Sequence, residues 1–144
     1  MTTDKIQNLS ESEARESTHR PDYSRKLPET EFEVMLAIWN TDPPVNTAYL
    51  MEKVGQSHGW KAPTLISFLV RLEERGFISS EKKGKERLYS PLSDKSDYIQ
   101  SVSEDFLDKY HGGSFVSMME SLYRNKMLSE NDIDELLTWL KTKY

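Results

Sequence analysis

The first sustained apolar pattern in the chain begins after Leu27. Phe32, Met35, Leu36 and Trp39 fall at i, i+3, i+4 and i+7, the spacing of one helix face, and predict an amphipathic helix that starts near Pro28 and stops near Asn40. Asp42-Pro43-Pro44 blocks its continuation. Val45 is expected to add a short extended pairing before Asn46 or Thr47 caps a second helix, with Leu50, Met51 and Val54 on its apolar side and Gly55 or Gly59 at its end. A third helix is expected around Ala62-Pro63-Thr64, because proline in a first turn gives up an N–H that has no helical partner anyway. Leu65, Phe68, Leu69 and Leu72 form its apolar stripe, and Gly76 supplies a left-handed stop. Residues 77–82 and 86–91, joined through Lys83-Gly84-Lys85, then read as a short antiparallel hairpin.

Beyond Pro91 the pattern is helical again, over about 94–110, 113–126 and 129–143, with breaks at Gly112-Gly113 and Leu128-Ser129. Ser129 with Asp132 has the spacing of a capping box. Three short helices make little core by themselves, so a second copy of the chain is the expected place to bury what remains. At the other end, residues 1–26 hold only Ile6, Leu9 and Tyr23 as large apolar groups and are expected to form a flexible tail. The expected organisation is therefore a tail over 1–26, a first domain over 27–92 and a helical domain over 93–144.

Composition narrows the chemistry. With 36% hydrophobic and 30% charged residues and no apolar run near the ~18 residues of a membrane span, membrane insertion is not expected. No apolar core of a secretory signal follows the first charged residues, and a cytoplasmic location is expected. The absence of cysteine excludes disulfides, thiolate metal sites and cysteine nucleophiles. His19, His58 and His111 show no short ligand spacing, so no metal or cofactor is expected. No paired carboxylates stand beside a nucleophile or a glycine-rich phosphate loop, and an enzyme is not expected.

Charge changes the picture once it is placed along the chain. The net charge of −5 opposes nucleic-acid binding, but residues 31–92 balance eight Lys/Arg against eight Asp/Glu, whereas residues 93–144 hold six against ten. The acidity lies in the C-terminal third, while Lys82, Lys83, Lys85 and Arg87 cluster at the hairpin tip. Three helices followed by a hairpin with a basic tip is the plan of a winged helix-turn-helix, although the same plan serves proteins that bind no DNA.

More specific wording lies in Glu31-Phe32-Glu33-Val34-Met35 with Ile38-Trp39, then Trp60, Thr64 with Leu69, Arg71-Leu72, Gly76-Phe77-Ile78, Tyr89-Ser90-Pro91 and the Gly-Gly-Ser-Phe run at 112–115. Over about residues 27–143 the chain resembles the penicillinase-repressor family of winged-helix transcriptional repressors. The resemblance implies a mainly α fold with a small β-hairpin wing and a C-terminal helical dimerisation region. It also implies a homodimer that binds double-stranded operator DNA with two-fold symmetry and controls antibiotic-response genes. One branch of the family senses copper through a cysteine-rich motif, and a chain without cysteine cannot use that route.

For the third helix, burial of Leu65, Phe68, Leu69 and Leu72 would turn Lys61, Thr64, Ser67 and Arg71 toward the major groove, with Pro63 and Ile66 near the edge. Related repressors often carry arginine or another polar residue where this chain has Ile66; an apolar group there either packs on thymine methyls or lies outside the interface. Lys82, Lys83, Lys85 and Arg87 would follow the phosphate backbone or the minor groove, adding affinity with little sequence information. Asn46 and Thr47 either donate to phosphate or simply cap the second helix.

Dimerisation would fall to Phe106, Tyr110, Phe115, Met119, Leu122, Ile133, Leu136, Leu137 and Leu140. It would set two reading helices about one DNA turn, ~34 Å, apart on an inverted repeat. In β-lactamase-type members a sensor pathway triggers cleavage at an Asn-Phe bond in this region; the matching bond is Asp105-Phe106, where Phe106 also reads as a core anchor. The alternatives are a regulator released by a small molecule bound near Phe106, Tyr110, Phe115 or Met119, and a protein-interaction module.

Overall fold

The computed structural model describes residues 21–144, in two units: one extending to Val102 and a second comprising Ser103–Tyr144. In the first, α1 (Glu29–Trp39) precedes β1 (Val45–Asn46). A continuous rod follows, made of α2 (Thr47–Leu50), a π-helical turn (Met51–Gly55) and α3 (Gln56–His58). Then come α4 (Ala62–Glu74), β2 (Ile78–Lys83) and β3 (Glu86–Pro91). The strands form an antiparallel sheet in the order β1-β3-β2, with Val45 opposite Tyr89 and Ser80 opposite Tyr89 on the other edge. This is the expected class, mainly helical with a small β wing: a winged helix.

The local chemistry of α4 explains its limits. Lys61 precedes it in an extended conformation, and Pro63 sits in the first turn. Leu65, Leu69 and Leu72 recur at helical spacing and are fully buried. At the far end the Phe77 N–H reaches Leu72 O at 2.9 Å and the Gly76 N–H reaches Glu73 O at 3.0 Å. These two bonds satisfy carbonyls that the ending helix leaves open, and they require Gly76 at φ 78°. Phe77 is thereby placed at zero exposure in the core. The wing turns at Gly84, whose φ of 62° occupies the first central position of a two-residue hairpin loop.

Three expectations are corrected. The buried stripe of α1 is Val34, Met35 and Ile38, with Phe32, Leu36 and Trp39 only partly covered, because the helix packs on α4 along one side and on an aromatic cluster along another. Phe68, expected in the stripe of α4, is partly buried and packs on Trp60 with ring centroids 4.9 Å apart. Gly55 does not end the second helix; it is buried inside the π-helical turn, where an added Cβ would meet Met51 Sδ at 2.8 Å. Gly59, at φ 68°, ends the rod.

The first unit extends past the hairpin. Tyr98, on α5 (Lys95–His111), is buried among Tyr23, Phe32, Trp39 and Phe77, with ring centroids 5.7–6.2 Å from each of them. Its hydroxyl accepts the Leu27 N–H at 2.8 Å. Trp39 Nε1 donates to Ser93 O at 3.1 Å, and Ser93 Oγ donates to Phe77 O at 3.0 Å. Residues 1–20 of the expected tail lie outside the described residues. Its last residues are held to the fold: Arg75 Nη2 donates to Asp22 O and Arg25 O at 2.7 and 2.6 Å, and the Asp22 N–H returns to Arg75 O at 2.9 Å.

The second unit contains the end of α5, α6 (Phe115–Arg124) and α7 (Glu130–Lys143). Gly112 and Gly113, at φ 56° and 79°, break α5 from α6. Ser114 caps α6 by accepting the Ser117 N–H at 3.1 Å. Ser129 and Asp132 form the expected capping box of α7, with reciprocal bonds of 3.1 and 2.9 Å. None of residues 103–144 is fully buried. Among the described residues no helix is long and apolar enough to cross a membrane.

Candidate nucleic-acid interface

The rod ending at His58, the turn Gly59-Trp60-Lys61 and α4 form a helix-turn-helix. Trp60 holds the turn by stacking on His58, with centroids 4.6 Å apart and planes inclined by 11°, and by packing on Phe68. The Trp60 N–H also reaches Gly55 O at 3.0 Å. His58 Nε2 in turn meets Glu33 Oε2 of α1. The angle between rod and α4 is thus fixed by ring packing as well as by chain connectivity.

Lys61, Pro63, Thr64, Ile66, Ser67 and Arg71 are all exposed on or beside α4. Their donors differ in availability. Ser67 Oγ donates to Pro63 O at 3.0 Å, so its proton is engaged within the helix. The Arg71 guanidinium lies 5.8 Å from the Phe68 ring centre and lines an open groove of about 330 Å³ with Arg25, Lys26, Glu31, Glu74 and Arg75. Arg25, Lys26 and Arg75 extend the basic surface beyond the residues named from the sequence. Only the path of residues 22–25 over Arg75, which carries no local sequence signal, brings Arg25 and Lys26 there.

On the wing, Lys82, Lys83 and Lys85 are exposed around Gly84, and Lys82 pairs with Arg87 in the strand register. Arg87 is less free than its position implies. Its Nη1 donates to Ser80 Oγ at 2.9 Å, and Ser80 donates through its N–H and Oγ to Glu73 Oε1 at 3.1 and 2.8 Å. This chain of bonds ties the wing to α4, and it accounts for Glu73. Asn46 is occupied as a cap: its Oδ1 accepts the Tyr49 N–H at 2.8 Å, and its Nδ2 donates to Glu86 Oε1 at 3.2 Å. Thr47 shares a hydrogen bond with the Tyr89 hydroxyl, whose pKa burial pushes above the ordinary tyrosine value.

Val70 is the residue the periodicity did not single out. It is 48% exposed on the same outward side of α4 as Ile66, which is 44% exposed.

The family model described as penicillinase repressor matches residues 27–142. The chain belongs to the penicillinase repressor family. The penicillinase repressor of Bacillus licheniformis is 32% identical over 115 residues, covering 78% of this chain and 89% of that protein. The methicillin resistance regulatory protein MecI of Staphylococcus aureus (strain N315) is 28% identical over 118 residues, covering 82% and 95%. Among solved structures, the DNA-binding domain of the repressor BlaI aligns with a TM-score of 0.46 at 31% identity, covering 51% of this chain and 89% of that one. The monomeric form of Bacillus licheniformis BlaI in complex with the blaP half-operator aligns with a TM-score of 0.44 at 31% identity, covering 52% and 90%. In this family member the match spans both units.

The residues expected to pair two copies all lie in the second unit. Phe106, Phe115 and Leu137 are about half exposed and Tyr110 is 73% exposed, while Met119, Leu122, Ile133, Leu136 and Leu140 are partly covered. Phe106 packs on Tyr110 and His111, with centroids 4.9 and 5.5 Å away. The Asp105–Phe106 bond lies inside α5, and Asp105 pairs with Lys109 at 3.1 Å one turn on.

Proposed function

We propose that this protein is a dimeric, cytoplasmic transcriptional repressor that binds an inverted-repeat operator through two winged-helix heads. The observation that carries this reading is the placement of Thr64, Ser67 and Arg71 on the exposed face of a helix whose neighbouring wing presents Lys82, Lys83 and Lys85. A helix of this kind fits the major groove, and a lysine-tipped hairpin beside it neutralises phosphates. Relatives named as regulators of penicillinase and methicillin resistance support a role in the response to β-lactam antibiotics.

Pairing belongs to the second unit, whose half-exposed aromatic and aliphatic side chains gain burial from another copy. Cleavage at Asp105–Phe106 would separate residues 106–144 from the heads and abolish the avidity of the pair. Because the bond is helical, a protease must first unwind that turn of α5.

The deciding experiment is a gel-shift titration with a duplex selected by the full-length protein. Arg71→Ala is expected to weaken binding by about 1–3 kcal/mol, and each wing lysine changed to alanine to reduce the salt slope by about 1. Unchanged affinity in Arg71→Ala would remove α4 from its assigned role.

A further inference from the structure

The outward face of α4 is not polar throughout. At about 100° per residue, Ile66 and Val70 stand about 40° apart on the helix wheel, one turn above one another. Both are nearly half exposed on a helix that otherwise buries its leucines. On the wheel Ser67 stands about 60° beyond Val70, on the side away from Ile66, and turns its hydroxyl proton back to Pro63 O, which leaves that flank less polar than the sequence implies. On the wheel this strip lies on the Glu73 side, where Glu73 holds Ser80 of the wing. Across the hairpin run the lysines of the tip. A helix that carries this apolar strip, beside a wing with a cationic tip, complements a polyanion that carries apolar groups in a groove, and in duplex DNA those groups are the thymine C5 methyls of the major groove.

We infer that Ile66 and Val70 together read thymine methyls, making Val70 a specificity-determining residue of the repressor. The inference rests on the DNA-binding reading above. Four residues of helix rise about 6 Å, close to two base-pair steps of ~3.4 Å, so the strip suits thymines two steps apart in each half-site. Burial of one methyl corresponds to about a four-fold change in affinity.

The test uses the full-length protein and duplexes that it selects from a randomised inverted-repeat pool, synthesised with thymine or with deoxyuridine, which lacks only the methyl. Wild type is expected to lose about four-fold in affinity per half-site at each of two positions when uracil replaces thymine. Val70→Ala and Ile66→Ala, both at exposed sites, should each become indifferent to uracil at one of those positions while keeping the salt dependence of binding. Equal binding of thymine and uracil duplexes by wild type, with salt dependence intact, would overturn the methyl strip and leave the repressor reading standing. Uracil costs that are identical in wild type and both variants would do the same. Failure to select any duplex would overturn the repressor reading on which the inference rests.

Discussion

The two units of this chain solve the burial problem differently. The first places Phe77, Leu72, Leu65 and Met35 at or near zero exposure around one core. The second is the more helical of the two, yet none of its residues is fully buried, and Val116, Tyr123, Met127 and Trp139 are all more than half exposed. Helical propensity and good caps shape an element, but they do not supply a core. A unit with exposed apolar faces needs burial from elsewhere to become stable, and in the proposed dimer the second copy provides it.

The sharpest way to break this contrast is to truncate one side chain in each unit. Phe77→Ala should destabilise the first unit by about 3–5 kcal/mol, since a fully enclosed ring leaves a cavity. Leu137→Ala should cost about 1 kcal/mol or less in dilute protein, because half of that side chain already meets water. Its cost should grow with protein concentration as dimers form, which denaturation midpoints at two concentrations would reveal; a cost independent of concentration would count against pairing through this face.

A second test concerns where the first unit ends. Tyr98→Phe keeps the ring but leaves the buried Leu27 N–H without its acceptor, and should cost about 1–3 kcal/mol in the unfolding of the first unit. An unchanged midpoint would mean that the Tyr98 hydroxyl contributes nothing to the stability of the first unit.

A smaller effect is expected in the second unit, where caps matter more because packing is thin. Ser129→Ala removes the capping box of α7 and should cost about 0.5–2 kcal/mol, read as lost helicity by circular dichroism. The weakest effect is its pH dependence. The backbone N–H and hydroxyl of Ser129 hold the Asp132 carboxyl below its ordinary value. Its contribution is therefore complete above the ordinary aspartate pKa and disappears as pH falls through the lowered one. Asp132→Asn should remove this acid-dependent loss of helicity, and an acid transition of the same size in the variant would assign it to other carboxylates.

Much of this was legible along the chain. The i, i+4, i+7 spacing of Leu65, Leu69 and Leu72, Gly76 after the last turn, the basic hairpin and the Ser129–Asp132 cap are local features, and local sequence encodes them. Tyr98 was missed because its partners, Leu27 and the rings of Tyr23, Phe32, Trp39 and Phe77, are far from it in sequence. Val70 was missed for a related reason: a valine on an amphipathic helix carries no mark that distinguishes an exposed position from the edge of the buried stripe. From the sequence Asn46 has two readings and Arg87 only that of a DNA contact; the bonds to Tyr49, Glu86 and Ser80 show what those side chains hold in the free protein.

By itself, then, the sequence determined the helices, the wing, the caps and the family, because periodicity, turn residues and short motifs act over a few positions. Tertiary structure alone decided which side chains share a core, that residues 22–25 lie over Arg75, and that Ile66 and Val70 form one exposed strip. Those outcomes depend on which distant segments meet, and burial is a property of the assembled surface rather than of any residue in the chain.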